Sequence, residues 1–212
     1  MLQNFSERCI LAIECKRFRD GALLFMRSDG TDHGEMRSKA WVSRYTNGGF
    51  KTFGWHDLSV EPKATEATYC NTRIGPDSNQ RQTLENMASE VVAATEALAR
   101  EERDIHDPND DFRVYFSIIV TTALLYVGTF DPKTMSLADG DLPSANFSPV
   151  PFVRYRKQLS SVVTPFDAGD YSKGPRRAES KEHTVFVVNA ASLVEFLNAF
   201  CLIDDARGRA VY

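Results

Sequence analysis

The stretch CILAIECKR, residues 9–17, constrains the fold of this chain more than any other segment. Its apolar run predicts a buried β-strand, in which alternate side chains point to opposite faces. One face is apolar throughout and is expected to contact the core. That face consists of Cys9, Leu11, Ile13 and Cys15. The other face ends in Glu14 and Lys16, so a carboxylate and an ammonium lie side by side and are expected to face a cleft.

The sequence that follows predicts a β-hairpin. Asp20-Gly21 is a type I′ turn signal between two apolar segments. A two-residue loop at this position places Glu14 opposite Arg27. Two interpretations of Glu14 follow: a cross-strand ion pair with Arg27, which is common on sheet surfaces, or a metal ligand.

The rest of the chain predicts an α/β fold, with a mixed central sheet and flanking helices. Apolar residues at helical spacing predict a long helix over about 79–103, with Asp77 or Ser78 as its N-cap. Strands are expected over 112–122, 123–130 and 151–160, and a strand followed by a helix over 184–200. Ser192 and Glu195 would form a capping box at that helix. Short strands and loops are expected over 41–75, and loops over 28–40 and 132–149.

Composition narrows the class of protein. The 212 residues, 42% of them hydrophobic, indicate one domain with a substantial core. No apolar run approaches the roughly 18 residues that span a bilayer, so no membrane partner is expected. The N-terminus lacks the pattern of a signal peptide and the four cysteines form no Cys-x-x-Cys pair, which favours a reducing cytoplasm. The net charge of −4 counts against general nucleic-acid binding but allows a local basic groove.

Glu14 and Lys16 suit metal-assisted phosphodiester hydrolysis. Mg²⁺ is held by hard oxygen ligands, usually one or two carboxylates with water and phosphate. A bound metal lowers the pKa of water, and a neighbouring lysine positions or deprotonates that water and stabilises developing charge. Arg154 and Arg156 share one face of a predicted strand, where they either contact phosphate or form an exposed strand face.

The segment LAIECKR resembles the Glu-x-Lys half-motif of the PD-(D/E)xK nuclease superfamily. The resemblance implies a restriction-endonuclease-like core over about 9–130, with a C-terminal extension over about 131–212 in a single domain. It implies Mg²⁺ or Mn²⁺ as cofactor with Glu14 as ligand, and Lys16 positioning the attacking water. It also implies DNA as the partner, an endonuclease activity, and a role in bacterial antiviral defence or DNA processing.

The chain departs from the family pattern at its start. The family's first metal-binding Asp lies on the preceding strand, whereas only MLQNFSER precedes Cys9 and contains no Asp. This favours an alternative function, that of a non-catalytic relative serving as a binding or assembly subunit. The edge of the Glu14 strand away from the hairpin is expected to be covered. Candidates are a later strand such as 114–121, a partner subunit or second copy, or residues upstream of Met1.

Two polar groups are weaker candidates. The loop that follows the predicted hairpin could hold a metal but is expected to be a solvated loop, because nothing fixes its geometry. Its acidic and histidine residues are Asp29, Asp32, His33 and Glu35. Gln80 and Gln82, at the start of the long helix, resemble a glutamine that the superfamily sometimes uses, but a solvated first turn is expected.

Overall fold

A computed structural model describes residues 6–18, 21–28, 37–46, 49–73, 84–105, 110–131, 146–158 and 182–203. The strands are β1 (Ser6–Lys16), β2 (Ala22–Ser28), β3 (Arg37–Thr46), β4 (Gly49–Glu61), β5 (Thr65–Ala67), β6 (Tyr69–Arg73), β7 (Asp110–Thr121), β8 (Leu124–Phe130), β9 (Asn146–Pro149), β10 (Phe152–Gln158), β11 (Glu182–Asn189) and β12 (Cys201–Leu202). The helices are α1 (Leu84–Glu101) and α2 (Leu193–Ala199). None of the helices described is long and apolar enough to cross a membrane.

The described strands form two sheets, which confirms the predicted α/β class. The larger sheet has the order β12-β4-β3-β7-β11-β10-β5, with β1 also paired to β7. The smaller sheet has the order β6-β2-β8-β9. The larger sheet is mixed, because β7 is parallel to β1 and β11 but antiparallel to β3.

The predicted β1–β2 hairpin is wrong. β1 pairs in parallel with β7, and β2 pairs in parallel with β8, so the two strands belong to different sheets. Arg27 lies opposite Thr129 instead of Glu14. Gly21 also lacks the positive φ that a type I′ turn requires. The long-range pairing prevails because it buries Leu23 and Phe25, which are almost fully inaccessible in the core.

Helix α1 packs in the core that both sheets share. Its apolar stripe contacts buried side chains of the smaller sheet, such as Phe25, and of the larger sheet, such as Ile119 and Tyr155. The stripe consists of Leu84, Met87, Ala88, Val91 and Val92. The predicted helix is therefore confirmed over its described residues; Asp77, Ser78, Gln80 and Gln82 lie outside them.

A second apolar cluster lies on the opposite face of the larger sheet. Phe196 of α2 packs there against Phe186 and Phe200, and all three belong to the cluster or pack on it. The predicted strands over 112–122, 123–130 and 151–160, and the strand-then-helix over 184–200, are confirmed. The capping box is not: Ser192 makes no side-chain cap, whereas Asn189 accepts a hydrogen bond from the backbone of Ala191.

The region 41–75 contains longer strands than the sequence predicted. β3 and β4 pair over most of their length and place Trp41 opposite Trp55. Some of their aromatic residues, such as Phe53 and Trp55, are two positions apart, but turn formers within the segment obscured the period of two. β9 likewise occupies part of the expected loop 132–149, and the start of β3 occupies the end of the expected loop 28–40.

The larger sheet forks beside β7. Trp41 of β3 pairs with Tyr115, whereas β11 begins to pair with β7 at Ser117. At this fork the backbone N–H of Lys39 donates a 2.9 Å hydrogen bond to Oγ1 of Thr184. Side chains from both branches therefore meet in a buried polar cluster where the strands diverge.

Ion pairs connect the two branches of this fork cluster. Asp57 lies 3.7 Å from Nζ of Lys39 and 3.3 Å from Arg156, which also donates a 3.0 Å hydrogen bond to Glu182. His183 lies in the same cluster, with its ring centroid 4.6 Å from that of Trp55. Burial and, to a lesser extent, the positive charge of Lys39 together lower the pKa of His183 to about 4. His183 is therefore neutral in the folded protein at neutral pH.

We predict that His183 destabilises the folded protein in mild acid. Below its unfolded pKa of 6.5 the unfolded chain takes up a proton that the folded chain refuses until about pH 4. Above pH 6.5 the ionisation of His183 therefore does not change the free energy of unfolding. As the pH falls from 6.5 towards 4, it lowers this free energy by up to about 3 kcal/mol. Urea unfolding at several pH values, for wild type and His183→Phe, measures the difference.

The comparison isolates His183 because both proteins retain His56, whose pKa burial also lowers. The wild-type curve should be steeper than that of His183→Phe between pH 6.5 and 4. Parallel curves would show that His183 titrates normally and would contradict the prediction.

Candidate functional site

Glu14 and Lys16 lie at the carboxyl end of β1, on the side of the sheet that α1 covers. Ile10, on the same face of the strand, packs with Ala99 and Leu98 of α1. Tyr115, directly across from Ile10 on β7, belongs to the same cluster. The face of β1 that carries Glu14 and Lys16 therefore packs against α1 near Ile10. The two charged residues lie further along the strand, beyond this apolar packing.

The prediction that one side of β1 faces the core is wrong for three of the four residues on that side. Leu11 packs against the second apolar cluster, but Cys9, Ile13 and Cys15 are exposed, Ile13 to 44%. β1 has no strand partner other than β7 among the described strands, so it lies at an edge where little covers this face. The expectation that residues 114–121 pair with β1 is confirmed, because the register joins Cys9 to Val114 and Lys16 to Thr121.

The carboxylate of Glu14 and the ammonium of Lys16 form an ion pair of 2.9 Å through Oε1. Both side chains are about one-third exposed or less, at 34% and 26%. The hydrogen bond to Glu14 raises the pKa of Lys16, and the negative charges of Glu14 and of Glu90 raise it further, while partial desolvation acts in the opposite direction. The pair is thus hydrated on one side and within electrostatic range of a second carboxylate on α1.

Thr122 holds the end of β1 in place. Its backbone N–H donates a 3.3 Å hydrogen bond to the carbonyl of Lys16. Its hydroxyl donates to the carbonyl of Phe18 and accepts from the backbone N–H of Phe18, each at 2.9 Å. The backbone that carries Lys16 is therefore fixed by Thr122 at the neighbouring strand end, 104 residues after Phe18 along the chain.

Sequence reasoning missed Glu90 and Thr122. Glu90 lies within the predicted helix, but no local pattern says that this helix crosses the end of β1. In the sequence, Thr122 showed no feature beyond the β-propensity expected of a strand residue. Both contributions depend on which strand pairs with β1. A short stretch of sequence contains no information about pairing between distant segments.

Arg154 and Arg156, the candidate phosphate contacts, lie in the region of the fork. Arg154 is almost fully buried, with its guanidinium 2.7 Å from Oε2 of Glu66. Arg156 binds Glu182 and Asp57 and donates a 3.1 Å hydrogen bond to the carbonyl of Arg37. Both arginines are therefore bound by carboxylates at the fork.

The remaining candidates add no metal cluster. Asp29, Asp32, His33 and Glu35 lie outside the residues that the structure describes. Among the described ranges, no group of three or more histidine, cysteine, aspartate or glutamate side chains is placed to hold a metal ion. The carboxylates of Glu14 and Glu90 are both close enough to Lys16 to raise its pKa.

A scan against protein-family models, a search of curated proteins and a search of solved structures each return no match to this chain.

We predict that Glu14→Gln lowers the pKa of Lys16, because it removes the hydrogen bond to a charged acceptor that contributes most to the raised value. Glu90→Gln should lower it by less, since Glu90 acts only through its charge. An NMR titration of the lysine side-chain signals measures both effects. Glu96→Gln, on the same helix but paired with Arg100, is the control and should leave the pKa unchanged. An unaltered pKa in Glu14→Gln would contradict the geometry described here.

Proposed function

We propose that the chain is a metal-dependent nuclease-like domain with a restriction-endonuclease-like core, hydrolysing DNA phosphodiester bonds in bacterial defence or DNA processing. The observation that supports this most is the pairing of Glu14 with Lys16 at the end of β1, within range of Glu90. Arg27, whose cross-strand pairing would have given Glu14 a purely structural role, lies in the other sheet. All four cysteines are free thiols, in keeping with a reducing cytoplasm.

The donor atoms present suit Mg²⁺ or Mn²⁺. Both ions are bound by hard oxygen ligands, and one or two carboxylates are a common protein contribution. Glu14 would supply one carboxylate and Glu90 a second, which takes the place of the upstream Asp of the family pattern. A bound ion would polarise the phosphate and lower the pKa of a water.

Lys16 acts as a cation and hydrogen-bond donor in this proposal. Its raised pKa keeps the ammonium protonated at neutral pH, so it is not a general base. An ammonium has three donors, which allows one bond to Glu14 while others orient a water or a phosphate oxygen. Fixing the backbone at Thr122 limits the positions that Nζ can reach. Lys16 would therefore hold the nucleophile in line and stabilise negative charge on the phosphate.

We predict that cleavage of supercoiled plasmid in Mn²⁺ falls by about a hundredfold or more in Glu14→Gln and in Lys16→Met. Each variant removes a group that acts on the transition state, and every 1.4 kcal/mol of lost stabilisation costs about tenfold in rate. Glu90→Gln should also reduce cleavage. Gel analysis of nicked and linear products gives the rates, and calorimetric titration with Mn²⁺ tests ion binding separately.

The matched control is Glu96→Gln, which changes a carboxylate of α1 that pairs with Arg100. It should cut at the wild-type rate. Thermal melting should show all variants folded, because removing a partly exposed ion pair changes stability by about 1 kcal/mol or less. Equal cleavage by wild type, Glu14→Gln and Lys16→Met would show that the activity, if any, arises elsewhere.

A second candidate function is that of a non-catalytic binding or assembly subunit. The observation that favours it is the edge of β1, which among the described strands pairs only with β7. A long strand with a free edge presents a row of backbone donors and acceptors that another chain can extend. Ile13, 44% exposed on this strand, would add an apolar contact. The partner that fits a self-complementary edge is a second copy of the chain.

We predict that, if β1 mediates self-assembly, light scattering after size exclusion gives a mass above the 23.8 kDa of one chain. Ile13→Lys should return the mass to 23.8 kDa, because a lysine on an edge strand blocks further pairing. Val194→Lys, at a 70% exposed position of α2, is the control and should leave the mass as in wild type. A monomeric wild type that cleaves DNA would reject this second candidate.

A further inference from the structure

A polar cleft opens at the carboxyl ends of β2 and β8 in the smaller sheet. Its volume is about 440 Å³, within the range of small-molecule sites. The lining residues are Arg27, Thr65, Val127, Thr129, Asn146, Ser148 and Val150. Among the described residues, this lining combines one cation with hydroxyl and amide groups and has no carboxylate.

Register explains why these polar groups converge. Arg27 on β2 lies across from Thr129 on β8, which in turn lies across from Asn146 on β9. Neighbouring strands are about 4.8 Å apart, so a guanidinium, a hydroxyl and a carboxamide form a row across three strands. Ser148, opposite Val127, extends the polar lining by one pair along the sheet.

Arg27 lies on the same face of β2 as Leu23 and Phe25, which are buried in the core beneath α1. Its side chain therefore extends the core-facing side of β2 into the cleft. Nε of Arg27 is buried and has no hydrogen-bond partner among the residues that the structure describes. A buried guanidinium donor without an acceptor is costly, so an acceptor supplied by a ligand would stabilise it.

Among the described residues that line the cleft, Arg27 is the one charged side chain. Glu66, adjacent to Thr65, points to the other side of β5 by strand alternation, and its carboxylate is bound by Arg154 at 2.7 Å. It therefore does not neutralise Arg27. A guanidinium matches the oxygens of a phosphate through parallel hydrogen bonds, and the surrounding hydroxyl and amide groups can donate to the oxygens that remain.

We propose that this cleft binds a phosphate group, with Arg27 as its charged anchor and Thr129, Asn146 and Ser148 as neutral donors. The volume accommodates either free phosphate or the phosphate end of a nucleotide-sized molecule. The described lining residues include neither Glu14 nor Lys16, so the proposal does not depend on nuclease activity. Phosphate held here would accept a hydrogen bond from Nε of Arg27.

The test is calorimetric titration of the full chain with inorganic phosphate and, separately, with adenosine monophosphate. Ionic strength is held constant with chloride, because phosphate stabilises proteins generally through exclusion from their surface. Wild type should bind one equivalent saturably. Arg27→Gln should weaken binding by about tenfold or more, since it removes a charge-assisted hydrogen bond. Arg8→Gln, which removes an exposed arginine of β1, is the matched control and should bind as wild type does.

Two further measurements keep the proposal open to rejection. Thr129→Val removes one donor with little change in shape and should weaken binding by a few-fold. If circular dichroism shows that Arg27→Gln is unfolded, Thr129→Val takes its place in the test. Tighter binding of the nucleotide than of phosphate would identify a phosphoryl ligand with an organic body, and equal binding would identify phosphate itself. Absence of saturable binding, or equal affinity in wild type and a folded Arg27→Gln, overturns the proposal.

Discussion

The rest of the structure depends on two parallel strand pairings, that of β1 with β7 and that of β2 with β8. β1 lies beside β7 in the larger sheet, and β2 lies beside β8 in the smaller one. The two chain segments therefore cross between the sheets together, joined by the hydrogen bonds of Thr122 to Lys16 and Phe18 and by that of Leu124 to Gly21. This crossing places both sheets around α1, so that one helix can fill the core that they share.

The same crossing creates the two candidate sites. Parallel strands end at the same edge, and polar groups at that edge are held by a rigid support while facing open space. β1 and β7 end at Lys16 and Thr121, where Glu14 and Glu90 are near. β2 and β8 end where Arg27 faces Thr129, at the polar cleft. One site places two carboxylates near Lys16, and the other, among the described residues, places a single arginine beside hydroxyl and amide groups.

Local pattern predicted several elements of this fold but not their pairing. Apolar periodicity was enough for α1, β7, β8, β10 and β11, because each buries a continuous stripe or run. The turn signal at Asp20-Gly21 was misleading, since the competing partner of β2 begins about a hundred residues later at Leu124. The adjacency of Glu14 and Lys16 follows from strand alternation alone. The approach of Glu90 requires the packing of α1 on β1, and no local window contains that information.

The ion pairs of the molecule differ in what they hold together, and this difference bears on function. Arg154–Glu66 joins β10 to β5, and Arg156 joins β10 to β4 and β11, so these pairs connect strands at the fork. Glu14 and Lys16 lie two residues apart on one strand, about 6.6 Å between Cα atoms, and their pair connects no two elements. A partly exposed pair of this kind contributes at most about 1 kcal/mol and does nothing to select the fold. Rearrangement of this bond within β1 would therefore break no contact between strands, whereas the ion pairs at the fork join different strands.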